Sequence, residues 1–150
     1  MVASEKLLVR PRITDDGFGE IISFTPEAVG WDHLGFRSIK IPQGESIRSN
    51  TRNTEIAIVV FGGKCSVTSS AGSWSRFGRR KNVFAGLAHT LYLSIDTEYV
   101  LIAETDADIA ICSCPAEKRC CRGANRSPWV TIRCTCANHG AGACSTNATN

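Results

Sequence analysis

The chain lacks two things that most soluble enzymes or membrane proteins have. No window of ten or more residues carries helical periodicity, and no stretch approaches the ~20 apolar residues of a bilayer-spanning helix. The first absence excludes a helical bundle or coiled coil; the second predicts no membrane partner. The amino terminus, Met1 to Arg10, places Glu5 and Lys6 where a signal peptide needs its apolar core. The expected location is therefore the cytoplasm, with reduced thiols, and the glycosylation triplet Asn147-Ala148-Thr149 has no meaning there. With 43% hydrophobic and 21% charged residues, the 150-residue chain is neither disordered throughout nor fibrous.

Acidic residues are missing from one part. Residues 1–117 hold all 14 acids and 12 of the 17 bases, whereas residues 118–150 hold five bases (Lys118, Arg119, Arg122, Arg126, Arg133) and no acid. The net charge of +3 thus hides a first part at −2 and a second at +5. Residues 118–150 also have no Leu, Phe, Tyr or Met, yet contain five of the eight cysteines: Cys120, Cys121, Cys134, Cys136 and Cys144. Such a segment buries too little apolar surface to offset the entropy of ordering it. The expected division is a domain at 5–116 and a basic, cysteine-containing, low-complexity tail at 117–150, disordered or out of frame.

What is present before residue 117 reads as short strands. Lys6–Arg10, Glu20–Phe24, His33–Ile41, Thr54–Phe61, Lys64–Thr68, Thr90–Ile95, Glu98–Glu104 and Asp108–Cys112 are apolar or alternating runs separated by turns. Thr25-Pro26-Glu27-Ala28 predicts one helical turn, with Thr25 as N-cap and Pro26 at its first position. Mixed parity in His33–Ile41 predicts a bulge or burial on both faces. The glycine pair Gly62-Gly63 predicts a hairpin joining Thr54–Phe61 to Lys64–Thr68. Many short strands at close spacing predict an all-β sandwich or barrel.

One spacing of glycines, an acid and a histidine carries chemistry. Gly44 is followed by Asn50, Arg52, Glu55 and Gly62; Gly78 is followed by Gly86 and His89. This is the skeleton of the two cupin signatures, G-x5-H-x-H-x(3,4)-E-x6-G and G-x5-P-x-G-x2-H-x3-N. In those signatures imidazoles and a carboxylate converge on a divalent metal. Here Asn50 and Arg52 replace both first-motif histidines, the first spacing is one residue short, and Phe84 and Leu93 replace the second-motif proline and asparagine. Two ligands, Glu55 and His89, are too few, and Arg52 puts a permanent cation at a ligand position. No metal is expected at Asn50, Arg52, Glu55 and His89; the candidate pocket is Arg52, Glu55 and His89, reading a carboxylate and hydroxyls.

Other clusters have plainer readings. Cys112-x-Cys114, Cys120-Cys121, Cys134-x-Cys136, His139 and Cys144 are too tightly spaced for the usual zinc pairs and read as incidental thiols. Arg76, Arg79, Arg80 and Lys81 beside Trp74 and Phe77 form a basic-aromatic cluster of the kind that binds phosphates or single strands. A solvated hairpin loop explains them more simply, and no nucleic-acid partner is expected. His33 beside Asp32 reads as a loop histidine rather than a general base. The chain has no G-x-S-x-G, P-loop or dinucleotide fingerprint.

These residues resemble a family. Lys6–Arg10, Thr25–Trp31, Gly35-Phe36, Gly44–Ser46, Gly63–Val67, Gly78-Arg79, Val83-Phe84, Leu91–Leu93 and Ala103–Cys112 follow, in order and spacing, the amino-terminal half of 5-deoxy-glucuronate isomerase of myo-inositol catabolism. That two-cupin family is related to 5-keto-4-deoxyuronate isomerase. The resemblance implies a cupin-like (RmlC-type) β-barrel or jelly roll and an aldose–ketose isomerisation of 5-deoxy-glucuronate to 5-dehydro-2-deoxy-gluconate. It also implies a divalent metal, zinc or manganese, held in the carboxy-terminal barrel of the full-length family. The resemblance fades near Pro115-Ala116. Read in a shifted frame, the codons behind 119–122, 129–130, 133–137 and 140–143 loosely admit the family's leucine-proline and V-x-V-R-glycine pattern, which predicts an out-of-frame tail.

The expectation is thus a chain truncated before the metal-binding barrel, inactive alone and without a cofactor of its own. The alternative is a non-catalytic cupin module that binds a small sugar acid or a partner barrel. Homo-oligomerisation is expected through the face that a second barrel would cover.

Overall fold

The computed structural model describes residues 8–12 and 15–117. The tail reading, its five cysteines, His139 and residues 1–7 lie outside the described residues. Within them the elements are β1 (Gly19–Phe24), α1 (Pro26–Val29), β2 (Gly35–Ile41), β3 (Ser46–Asn50), β4 (Thr54–Gly62), β5 (Cys65–Ser69), β6 (Gly72–Phe77), β7 (His89–Leu93), β8 (Glu98–Ala103) and β9 (Ala107–Pro115). The short helix forms as expected. Thr25 is extended and accepts a hydrogen bond from the Ala28 N–H, Pro26 stands at the start, and Gly30 closes the turn in the left-handed region.

Every strand pair is antiparallel, and the pairing is nested. β5 pairs with β6, β4 with β7, β3 with β8 and β2 with β9, as if a long ribbon had been folded in half at the β5–β6 turn and rolled. Two further pairings, β4 with β9 and β5 with β8, weld the roll into two sheets. One sheet has the order β1-β2-β9-β4-β7, the other β3-β8-β5-β6. Eight strands so wound are a jelly roll of the cupin kind, with β1 as an added edge strand. The fold is all-β, as the sequence predicts.

Period-two alternation decides what fills the roll. On β4, Ile56, Ile58 and Val60 point inward; β7 adds Leu91 and Leu93, and β9 adds Ile109 and Ile111. The second sheet meets them with Cys65, Val67, Leu101 and Ala103. Ile58, Val60, Cys65 and Val67 have no exposed surface at all. Burial pushes the Cys65 thiol up to about 12, so it behaves as a small apolar side chain.

Two local expectations need correction, and a third is narrowed to one of its alternatives. Gly62-Gly63 does not make a hairpin. β4 and β5 lie in different sheets, and the glycines carry the chain around the corner between them. The bulge offered for β2 sits on its neighbour instead, as a register shift between Glu20 and Ile22; β2 shows the other alternative, with Phe36 and Ser38 half-buried on one face and Ile39 and Ile41 buried on the other. Residues 8–10 form no strand, whereas β3 and β6, both largely exposed, do.

The corner depends on two close approaches. Gly63 has φ +87°, and a Cβ there would run into the Asp106 carbonyl oxygen; at Gly78, φ +100°, a Cβ would meet the Gly63 carbonyl oxygen at 2.5 Å. Alanine at either site adds left-handed strain to a backbone clash. Gly63→Ala and Gly78→Ala are each expected to cost about 2–4 kcal/mol, read as a lowered urea midpoint. A loss below about 1 kcal/mol would mean that the turns can move apart.

Candidate functional site

The four residues at the cupin ligand positions occupy separate places. Asn50 ends β3, exposed, and its side-chain oxygen accepts the Arg52 N–H at 2.6 Å. Arg52 is an exposed turn residue with φ 51°, and its carbonyl oxygen accepts the Asp96 N–H at 2.8 Å. Both therefore shape the β3–β4 turn. The same turn is fastened from below by buried Thr51, whose hydroxyl donates to the Ser94 carbonyl at 2.7 Å and accepts the Thr97 N–H at 2.9 Å.

Glu55 lies at the start of β4 with the parity opposite to Ile56, Ile58 and Val60, so it faces away from the roll's interior. Its carboxylate accepts a hydrogen bond from the Tyr92 hydroxyl at 2.5 Å. His89 lies at the other end, paired in register with Val60 on the inward face. At about 3.4 Å per residue, five residues of β4 separate Glu55 from Val60 by roughly 17 Å. The structure thus does not bring Arg52, Glu55 and His89 into one pocket.

His89 is nonetheless unusual. It is 9% exposed, its Nδ1 accepts the Gly78 N–H at 2.9 Å, and its ring stands 5.8 Å from that of Phe77. Burial first, and then the nearby charges of Arg79 and Arg80, hold its pKa below the ordinary 6.5. The neutral ring with a bare Nδ1 is the form that fastens Gly78.

Among the described residues no three His, Cys, Asp or Glu side chains stand together in a way that could hold a metal. The residues at the ligand positions do not fit a divalent ion: an amide that caps a turn, a guanidinium, an outward carboxylate and an imidazole whose Nδ1 is engaged. Asp32 and His33 are exposed in the loop between α1 and β2. Cys112 and Cys114 are half-buried on β9, and burial raises the Cys112 thiol's pKa.

The basic-aromatic cluster divides. Phe77 is buried in the core and half-buried Trp74 packs against that core; neither ring lines the cleft that the cations share. Arg79, Arg80 and Lys81 are joined instead by Lys64, from the β4–β5 corner, around a cleft of about 300 Å³ closed by Gly63, Thr105 and Asp106. Sequence reasoning missed Lys64 because nothing local connects it to a loop so far along the chain.

Residues 7–145 match the KduI/IolB family, which runs the match past Pro115-Ala116 and across most of the chain. The chain belongs to the KduI/IolB family. It is 28% identical over 111 residues to 5-deoxy-glucuronate isomerase of Geobacillus kaustophilus, covering 73% of this chain and 40% of that protein. The Bacillus subtilis strain 168 protein of the same name is 30% identical over 88 residues, covering 58% of this chain and 32% of that protein. The crystal structure of an IolB-like protein from Salmonella typhimurium LT2 superposes with a TM-score of 0.68 at 29% identity, over 75% of this chain and 43% of that one. This KduI/IolB chain therefore spans less than half the length of the relatives it matches. No helix among its described residues is long and apolar enough to cross a membrane.

The lowered His89 pKa has a sign. The unfolded chain binds a proton near 6.5 that the folded chain refuses, so His89's contribution to stability is complete above 6.5 and is lost as the pH falls from there toward the folded value. Titrating the His89 ring by NMR should give a midpoint below 6.5, and the urea midpoint should fall between about pH 7.5 and about pH 5.5. His89→Gln should reduce that fall; an unchanged fall would assign it to other groups.

Proposed function

We propose that this chain is the supporting, metal-free barrel of a 5-deoxy-glucuronate isomerase, acting in inositol breakdown and inactive by itself. The match over 111 residues to a protein of that name carries the reading. Isomerising 5-deoxy-glucuronate to 5-dehydro-2-deoxy-gluconate moves a proton between adjacent carbons. That demands a base and an electrophile held on either side of one sugar. The described residues supply no such pair. Glu55 is bonded to Tyr92 outside the roll, and His89 is bonded to Gly78 inside it. The full-length family's zinc or manganese would supply the electrophile, and the residues here do not fit it.

The cytoplasm is the proposed location, and a second barrel is the proposed partner, either from the longer family architecture or from a second copy of this chain. The alternative, a module that binds a sugar acid without turning it over, is favoured by one observation. One cleft among the described residues is lined by four cations, which would meet a carboxylate.

The test is an isomerase assay on the purified chain with added zinc or manganese, alone and fused to the carboxy-terminal part of the Geobacillus kaustophilus relative. No turnover alone and turnover by the fusion are expected. Turnover by the chain alone would overturn the supporting role. An inactive but folded fusion would leave the sugar-acid module as the reading, checked by equilibrium binding of D-glucuronate.

A further inference from the structure

The β4–β5 corner, the β6–β7 loop and the β8–β9 turn converge more closely than ordinary side chains would permit. The Gly63 N–H donates to the Arg80 carbonyl at 3.0 Å, and the Lys64 carbonyl accepts the N–H groups of Glu104 and Thr105 at 2.9 and 3.2 Å. The Lys64 N–H in turn donates to the Thr105 hydroxyl at 3.0 Å. Gly63 and Gly78 lie directly against neighbouring backbone, as described above. The cleft framed by these segments thus has fixed walls rather than being a gap between loose loops.

Its charge is lopsided. Lys64, Arg79, Arg80 and Lys81 line it, with Asp106 as the single carboxylate. One oxygen of Asp106 already accepts the Gln43 N–H at 2.9 Å. Glu104 lies close enough to Lys64 to feel its charge, but it is held by the Ser66 hydroxyl and the Arg76 N–H at 3.2 Å. Arg80 is part of the frame. Its Nε donates to the Val60 carbonyl at 3.2 Å, and one terminal nitrogen donates to the carbonyls of Val83 and Gly86 at 3.3 and 3.2 Å. Its charge is therefore held in place beside the cleft at no further conformational cost. Lys64 and Lys81 are exposed, and neither forms an ion pair among the described residues. Flexible ammonium groups over a fixed guanidinium suit an anion approached from several sides.

We propose that this cleft is a binding site for a phosphoryl dianion, either free phosphate or the phosphate end of a small ester. Four cations against one carboxylate favour a doubly charged ligand over the single charge of a sugar acid, because each added charge interacts with the whole excess. The site lies at a rim of the roll, away from Glu55 and the β3–β4 turn, and does not depend on the isomerase reading.

The experiment titrates the purified chain with inorganic phosphate at low ionic strength, by calorimetry and by NMR of the backbone amides. Saturable binding is expected, with shifts confined to Gly63-Lys64, Arg79–Lys81 and Thr105-Asp106, and it should weaken as salt is added. Lys64→Ala/Lys81→Ala should bind about tenfold more weakly or worse while keeping its urea midpoint, since both side chains are exposed. Arg48→Ala, an exposed cation on β3, should bind as the parent does. D-glucuronate should bind more weakly than phosphate. Glucose 6-phosphate binding more tightly than phosphate would identify an ester as the ligand, and equal binding would identify the free ion. Absence of saturable binding, shifts elsewhere, glucuronate binding as tightly as phosphate, or an undiminished affinity in the double lysine variant would each overturn the proposal.

Discussion

One layer of apolar side chains between two sheets governs the rest of this molecule. Ile56, Ile58, Val60, Leu91, Leu93, Ile109 and Ile111 from one sheet meet Cys65, Val67, Leu101 and Ala103 from the other in a close-packed interior. Burying a Val, Leu or Ile side chain is worth about 1.5–3 kcal/mol, so any polar group placed among them would have to bring its own partner. His89 does so through Gly78, and Thr51 through Ser94 and Thr97. Polar chemistry is left to the rims and outer faces.

That division separates the residues at the cupin ligand positions from the cations. A shortened form of the ligand spacing survives in the sequence, but its members serve other ends. Asn50 and Arg52 shape a turn, and Glu55 bonds Tyr92 on the outer surface. The cations collect instead where three glycine-bearing or short turns press together, and the positive potential there reaches His89 through Arg79 and Arg80. Structure and charge are thus coupled at one end of the roll, because the segment that carries Arg79–Lys81 also presents the Gly78 N–H to the imidazole.

Much of the fold was legible in the sequence. Glu20–Phe24, Thr54–Phe61, Glu98–Glu104 and the Pro26 turn form where apolar alternation and capping chemistry place them, because those signals are local. β3 and β6 were not legible. Ser46–Asn50 and Gly72–Phe77 are mostly exposed, so their alternation is weak. The hairpin expected at Gly62-Gly63 failed because turn residues specify a change of direction without specifying which sheet receives the next strand. For the site, spacing brought Glu55 and His89 together on paper. Parity along Glu55-Ile56-Ala57-Ile58 already set the carboxylate apart from the buried isoleucines. The association of Lys64 with Arg79–Lys81 had no local trace, since only the crossing between sheets creates it.

The place of β9 has a consequence for biosynthesis. It is the last described strand in the chain, yet it lies in the middle of its sheet, bonded to β2 on one side and β4 on the other. While a ribosome is still making residues 107–115, both of those neighbours have emerged with open edges, and open edges recruit foreign strands. The nascent barrel therefore passes through a stage in which β2 and β4 lack the strand that will separate them. A chaperone that shields edges would have most effect at that stage.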